Sequence, residues 1–91
     1  MKKRVLLLGA TGSIGTSSLE VIDSFPEEFE LVGISAHSRR EELLGIAARY
    51  PGVKTALSGS EEHRAREIDY EGTAAPLRLI EATSPDIVIN G

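Results

Sequence analysis

The chain has 91 residues, enough for one small domain. Hydrophobic residues make up 41% and aromatics only 4%, so the core must be aliphatic, and a net charge of -4 argues against any general affinity for nucleic acid or an anionic membrane surface. With no cysteine, disulfides, thiolate metal sites and cysteine nucleophiles are excluded within the chain.

Lys2-Lys3-Arg4 ahead of Val5-Leu6-Leu7-Leu8 has the flavour of a secretion signal, but the apolar run is too short and Thr11-Gly12-Ser13 interrupts it. No stretch is long enough to span a bilayer, so the expected setting is the cytoplasm. Val5 to Leu8 instead suits a strand buried on both faces, as in a parallel sheet. It runs directly into Gly9-Ala10-Thr11-Gly12-Ser13-Ile14-Gly15. Gly9 permits a sharp turn at the strand end. Gly12 carries no Cβ, so a diphosphate can approach the backbone. Gly15 lets the following helix lie close to the strand. The free N–H groups of the first helical turn then face the anion. The spacing is G-x-x-G-x-x-G rather than the usual dinucleotide G-x-G-x-x-G, so its context matters: a strand before, a helix after and a second strand some twenty residues on. All three are readable. The alternative is a glycine-rich turn that packs a strand on a helix and binds nothing.

A helix is expected from Ser13 to Ser24, with Ile14, Leu19, Val21 and Ile22 as its apolar stripe and Pro26 as its stop. Phe29 to Ala36 reads as the second strand, Glu41 to Tyr50 as the second helix closed by Pro51-Gly52, and Val53 to Leu57 as the third strand. The polar segment from Ser58 to Gly72 is the least readable, with a short helix conceivable over Ser60 to Arg66. Thr73 looks like the cap of a helix over Ala74 to Thr83. Ser84-Pro85 ends that helix, and Asp86 to Asn90 forms a fourth strand. This alternation predicts an α/β, doubly wound parallel sheet of strand order 3-2-1-4, with a ligand at the carboxyl ends of strands 1 and 4. A last strand that leads to Gly91 at that edge suggests the N-terminal part of a larger protein.

The end of the second strand discriminates the nicotinamide dinucleotides: an acid there favours NAD, and a basic residue accommodates the 2′-phosphate of NADP. Here the residues are Ser35, Ala36, His37, Ser38, Arg39 and Arg40, with no acid among them. Arginine can make paired, charge-assisted bonds to a phosphate, Ser38 can donate another, and His37 can donate or stack. NADP(H) is therefore expected over NAD(H). The alternative is that Ser38 caps the second helix while the arginines lie in solvent, and for Arg40 taken alone that is the better reading. His37 and His63 have no metal-ligand spacing with carboxylates, and no general acid or base stands out.

Leu8-Gly9-Ala10-Thr11-Gly12-Ser13-Ile14-Gly15-Thr16-Ser17, Leu19-Glu20-Val21-Ile22 and Phe29 to Ala36 resemble the 1-deoxy-D-xylulose 5-phosphate reductoisomerase family, and the likeness returns in Ser84 to Gly91. The resemblance implies a Rossmann-like NADPH-binding portion. In that family 1-deoxy-D-xylulose 5-phosphate is rearranged and reduced by NADPH to 2-C-methyl-D-erythritol 4-phosphate, in non-mevalonate isoprenoid biosynthesis, with Mg²⁺ or Mn²⁺ on the substrate. It implies phosphate-loop contacts at Thr11, Gly12, Ser13 and Ile14, and contacts after strand 2 at Ala36, His37, Ser38 and Arg39. Many members carry Gly, a basic residue and Asn where this chain has His37-Ser38-Arg39. The metal-binding acids and catalytic loop of the family are expected outside this chain, and a homodimer is expected for the longer protein. The competing readings are another NADP-dependent dehydrogenase or epimerase with the same turn, and a stand-alone nucleotide sensor.

Overall fold

The computed structural model describes residues 1–59 and 68–91. Five strands and three helices follow one another as β1 (Lys3–Leu8), α1 (Ser13–Ser24), β2 (Phe29–Ala36), α2 (Arg40–Ala47), β3 (Lys54–Leu57), β4 (Tyr70–Glu71), α3 (Ala75–Thr83) and β5 (Ile87–Asn90). The strands form one sheet in the order β4-β3-β2-β1-β5, every neighbouring pair parallel. The expected 3-2-1-4 arrangement is present within it, with β5 in the fourth place. One short strand is added outside β3.

Alternation along β1 sorts its leucines between two layers. Val5 and Leu7 pack with Leu19 and Ile22 of α1 and Leu43 of α2. Leu6 faces the other way, against Ala75 and Leu79 of α3. Helices thus cover both faces, which is why Val5-Leu6-Leu7 reads as an unbroken apolar run. On β2 the alternation is broken once. Val5 pairs with Leu31 but Leu6 pairs with Gly33, so an extra residue is accommodated at Val32. The bulge leaves Leu31 and Ile34 on one layer. It turns Gly33 to the other, where a Cβ would stand 3.1 Å from Leu79 and 3.2 Å from Leu6.

Several boundaries differ from expectation for local reasons. β1 begins at Lys3 because Lys3 and Arg4 find partners in Phe29 and Glu30. α2 stops at Ala47, since Arg49 and Tyr50 donate their N–H groups three residues back, to Ile46 and Ala47, and tighten the chain ahead of Pro51. Thr73 is not the cap of α3. Ala74 holds that position without a side-chain bond, Gly72 at φ 104° supplies the turn, and Pro76 lies at the helix start. Asp86 precedes β5, and its carboxylate accepts the Arg4 N–H at 2.8 Å. The short helix expected over Ser60 to Arg66 lies outside the described residues.

β4 is the element the sequence did not announce. Asp69 fixes it: its carboxylate accepts both the N–H (2.8 Å) and the hydroxyl (3.2 Å) of Thr55, and Thr55 Oγ1 accepts the Asp69 N–H at 3.1 Å. Tyr70 and Glu71 then pair with Ala56 and Leu57. At the opposite edge, β5 is less covered. Ile87 and Val88 are exposed, as are Ile14 and Val21 of α1.

Candidate functional site

The carboxyl ends of β1 and β2 lie side by side and carry both stretches singled out in the sequence. Gly9 adopts φ 77°, a left-handed conformation that a side chain would strain. Its N–H reaches Ser35 Oγ at 3.4 Å, and the Ala10 N–H donates to Ser35 O at 2.8 Å, so β2 anchors the turn. Gly12 N–H donates back to Gly9 O at 3.3 Å and closes it.

Backbone packs on backbone here. A Cβ on Gly15 would lie 2.5 Å from Gly9 O and 2.6 Å from Ala10 O. A Cβ on Gly9 would lie 2.6 Å from Gly91 O. Gly91, whose N–H donates to Leu8 O at 2.7 Å, is thus a fourth glycine in the same junction. It joins the turn after β1 to the chain after β5, at the point where the strand order reverses. Nothing local marked Gly91 for this role; only its position after a strand pairing with β1 does. Gly12 behaves differently. A Cβ there would meet only Gly9 O, at 3.7 Å, and the residue is exposed, so its missing side chain leaves room on the outside.

Gly12 is also the N-cap of α1, extended at φ -85° and ψ 179°, and no side chain caps the helix. The first-turn N–H groups of Ser13, Ile14 and Gly15 precede the intrahelical ladder, which begins with Thr16 N–H to Gly12 O at 2.9 Å. The first turn contains no acidic residue to compete with an anion. The hydroxyls behind it are occupied along the helix, Thr16 on Gly12 O and Ser18 on Ile14 O. Thr11 is half-buried, Ser13 and Ile14 exposed.

After β2 the predicted residues separate into kinds. Ala36 is buried in the α1/α2 layer and its carbonyl accepts from Ser58 N–H at 2.9 Å, so it closes the strand and presents no free group of its own side chain. His37 is pinned to the end of β3: its carbonyl accepts from Gly59 N–H at 2.6 Å, and Nδ1 lies 3.3 Å from Ser58 Oγ. Ser38 is exposed. It does not cap α2. That position belongs to Arg39, left-handed at φ 63° and ψ 55°, with no side-chain cap bond. A non-glycine residue held there costs about 1–2 kcal/mol. The Arg39 side chain is 62% exposed and its guanidinium stands 3.5 Å from Glu42. Arg40 does not lie free in solvent: it forms an ion pair with Glu71, whose side chain is 1% exposed.

A mostly apolar groove between α1 and β5, lined by Val5, Ser18, Val21, Ile22, Phe29, Ile87 and Ile89, is a separate feature. Hydrocarbon walls offer few donors to a phosphate. Among the described residues, no three metal-ligating side chains gather, and no helix is long and apolar enough to cross a membrane.

The family model for 1-deoxy-D-xylulose 5-phosphate reductoisomerase matches residues 5–91. The chain is 41% identical over 92 residues to the enzyme of that name from Mycolicibacterium smegmatis, covering 98% of this chain and 23% of the relative. To that from Corynebacterium diphtheriae it is 39% identical over 99 residues, covering 100% of this chain and 26% of the relative. It therefore spans about a quarter of the length of these relatives. A crystal structure of DOX-P reductoisomerase with magnesium superposes with a TM-score of 0.64 at 26% identity, over 100% of this chain and 20% of that one. Another, with NADPH, fosmidomycin and magnesium, gives 0.62 at 27% identity, over 98% and 19%. The glycine junction at the reversal of strand order, the parallel sheet and these matches have one conclusion: the chain belongs to the 1-deoxy-D-xylulose 5-phosphate reductoisomerase family.

Proposed function

We propose that this segment is the NADP(H)-binding Rossmann portion of a reductoisomerase that rearranges and reduces 1-deoxy-D-xylulose 5-phosphate to 2-C-methyl-D-erythritol 4-phosphate, with catalytic and C-terminal parts supplied elsewhere in the complete protein. The observation that carries this reading is the start of α1, uncapped by any side chain, beside the junction of Gly9, Gly15 and Gly91. That start offers directed N–H groups and partial positive charge to a diphosphate. Gly12 gives the backbone room for close approach. α2 contrasts with it: its first turn already carries Glu41 and Glu42, which would repel a phosphate laid along its axis.

In this reading Thr11, Gly12, Ser13 and Ile14 hold the diphosphate, and Gly9 and Gly15 keep the loop shape. Ser38 and Arg39 face the 2′-phosphate of the adenosine ribose, while Ala36 and His37 shape the strand end beneath it. The residues fit NADPH better than NADH because no carboxylate ends β2 and Arg39 is available as a partly solvated cation. When bound, the coenzyme supplies a hydride, and this half of the protein orients it. The substrate would be a small sugar phosphate, and the relatives' magnesium suggests a divalent cation, Mg²⁺ or Mn²⁺, held by acids beyond this segment. The complete protein is proposed to be a cytoplasmic homodimer, on the family resemblance.

The test is NADPH oxidation by the complete natural protein with 1-deoxy-D-xylulose 5-phosphate and Mg²⁺. Turnover that disappears without either the sugar phosphate or the cation supports the proposal; absence of turnover with both present overturns it.

A further inference from the structure

We propose that Glu71, a buried acid on the short strand β4, is a positioning residue for coenzyme selectivity, acting through Arg40 on Arg39. The inference rests on the nucleotide-binding reading above and goes beyond it, since β4 has no part in that reading.

Arg39 holds a left-handed backbone conformation, which an arginine adopts only where its neighbours enforce it. Its own side chain does little enforcing: the contact to Glu42 is 3.5 Å long and solvent-exposed. The constraint comes from either side. On the N-terminal side His37 is fastened to the end of β3, through Gly59 N–H at 2.6 Å. On the C-terminal side Arg40, the first residue of α2, is held by the Glu71 carboxylate. Ser38 and Arg39 hang between these two anchors.

Glu71 is well suited to anchoring. Its backbone is fixed by pairing with Leu57, and the next residue, Gly72, donates its N–H to Leu57 O at 3.0 Å. Its side chain is 1% exposed while that of Arg40 is 28% exposed, so the acid is the fixed member of the pair. Its second oxygen, Oε2, is buried with no hydrogen-bond partner among the described residues. An ionised acid so placed depends on the guanidinium beside it, and breaking the pair strands its charge. The same pair decides which arginine faces a phosphate. Arg40 has its charge matched by a buried acid, so Arg39 carries the recognition. With the anchor lost, the first turn of α2 frays, Arg39 relaxes toward an ordinary extended backbone, and its guanidinium leaves the 2′-phosphate.

The experiment compares dissociation constants for NADPH and NADH in the complete natural protein and in the variants Glu71→Gln, Arg39→Gly and the double variant. Glu71→Gln is expected to lower the preference for NADPH by at least about threefold with NADH affinity held within twofold. In the Arg39→Gly background, Glu71→Gln should change the preference no further, since both act on one contact. Equal loss for both coenzymes, or additive losses in the double variant, would overturn the role of Glu71. If Arg39→Gly alone leaves the preference at its natural value, the assignment of the 2′-phosphate to Arg39 fails, whatever Glu71 does. Should Glu71→Gln not fold, Arg40→Lys, which keeps the charge and loses the planar fork, is read by the same ratio. A decrease supports the proposal and an unchanged ratio overturns it.

Discussion

The turn after β1 and the tip after β2 lie side by side at the same end of the sheet, yet they are held in shape by opposite means. The first is shaped by the absence of side chains. Gly15 against Gly9 and Ala10, and Gly9 against Gly91, bring main chain to main chain at distances that leave no room for a Cβ on Gly9 or Gly15. The second is shaped by partners from afar: the Gly59 main chain and the Ser58 hydroxyl hold His37 from one direction, and the Glu71 side chain holds Arg40 from another. The two helix starts differ in the same sense. α1 begins uncapped and without acids, whereas α2 begins on a strained arginine followed by Glu41 and Glu42. A phosphate site needs backbone that a ligand can reach. A discriminating site needs one cation held in place, which a long-range ion pair can provide.

Breaking the first region should cost most. Gly15→Ala places a methyl group 2.5 Å from one backbone oxygen and 2.6 Å from another, neither of which can step aside without moving the turn. A loss of about 3 kcal/mol is expected, the upper end of what overpacking usually costs. Urea unfolding should show that loss, and NADPH titration of whatever remains folded should show no binding. Breaking the second region should cost less. Glu71→Ala removes the buried partner of Arg40, but Arg40 is 28% exposed and can recruit water. About 2 kcal/mol is expected, below the 3–5 of a fully buried pair, with native-like diphosphate binding retained.

A contact remote from both regions sharpens the comparison. At the other end of the sheet the Tyr50 hydroxyl donates to Asp23 at 2.5 Å and Arg49 bonds the same carboxylate at 2.8 Å, tying the ends of α1 and α2 together. Burial, and then the Asp23 carboxylate, raise the Tyr50 phenol from 10.0 to about 12. The unfolded chain ionises first, so this contribution to stability is complete below pH 10 and is lost as pH rises through about 12. Tyr50→Phe should remove about 1 kcal/mol at neutral pH. It should also flatten the alkaline limb of the stability profile between those values and leave both coenzyme affinities unchanged. The smallest stability effect is expected for Arg39→Gly. Glycine takes the left-handed conformation without strain but is freer when unfolded, so the net change is within about 0.5 kcal/mol. Calorimetry should register almost nothing, while under the proposed assignment the NADPH/NADH affinity ratio falls.

These contrasts explain what was legible. Val5 to Leu8, the glycines and the stop at Pro26 are read within a few residues of one another, because strand burial, turn conformation and helix ends are local matters. The parallel sheet and the place of the last strand beside β1 follow from alternation and connection rules. β4 escaped for the opposite reason. Tyr70 and Glu71 are two residues in a polar stretch, and what makes them a strand is Thr55, fourteen residues earlier than Asp69. Ser38 looked like a helix cap by residue type, yet the chain places Arg39 there instead.

By itself, the order of residues determined a strand, a glycine turn and a helix start suited to an anion, and a basic tip after the second strand. Those depend on neighbours in the chain, and local sterics settle them. Only the tertiary structure decided that Gly91 closes the glycine junction, that Arg40 pairs with Glu71, and that Arg39 takes a left-handed backbone with its side chain exposed. The first two join residues dozens of positions apart, and such pairings exist only once the sheet has brought its strand ends together.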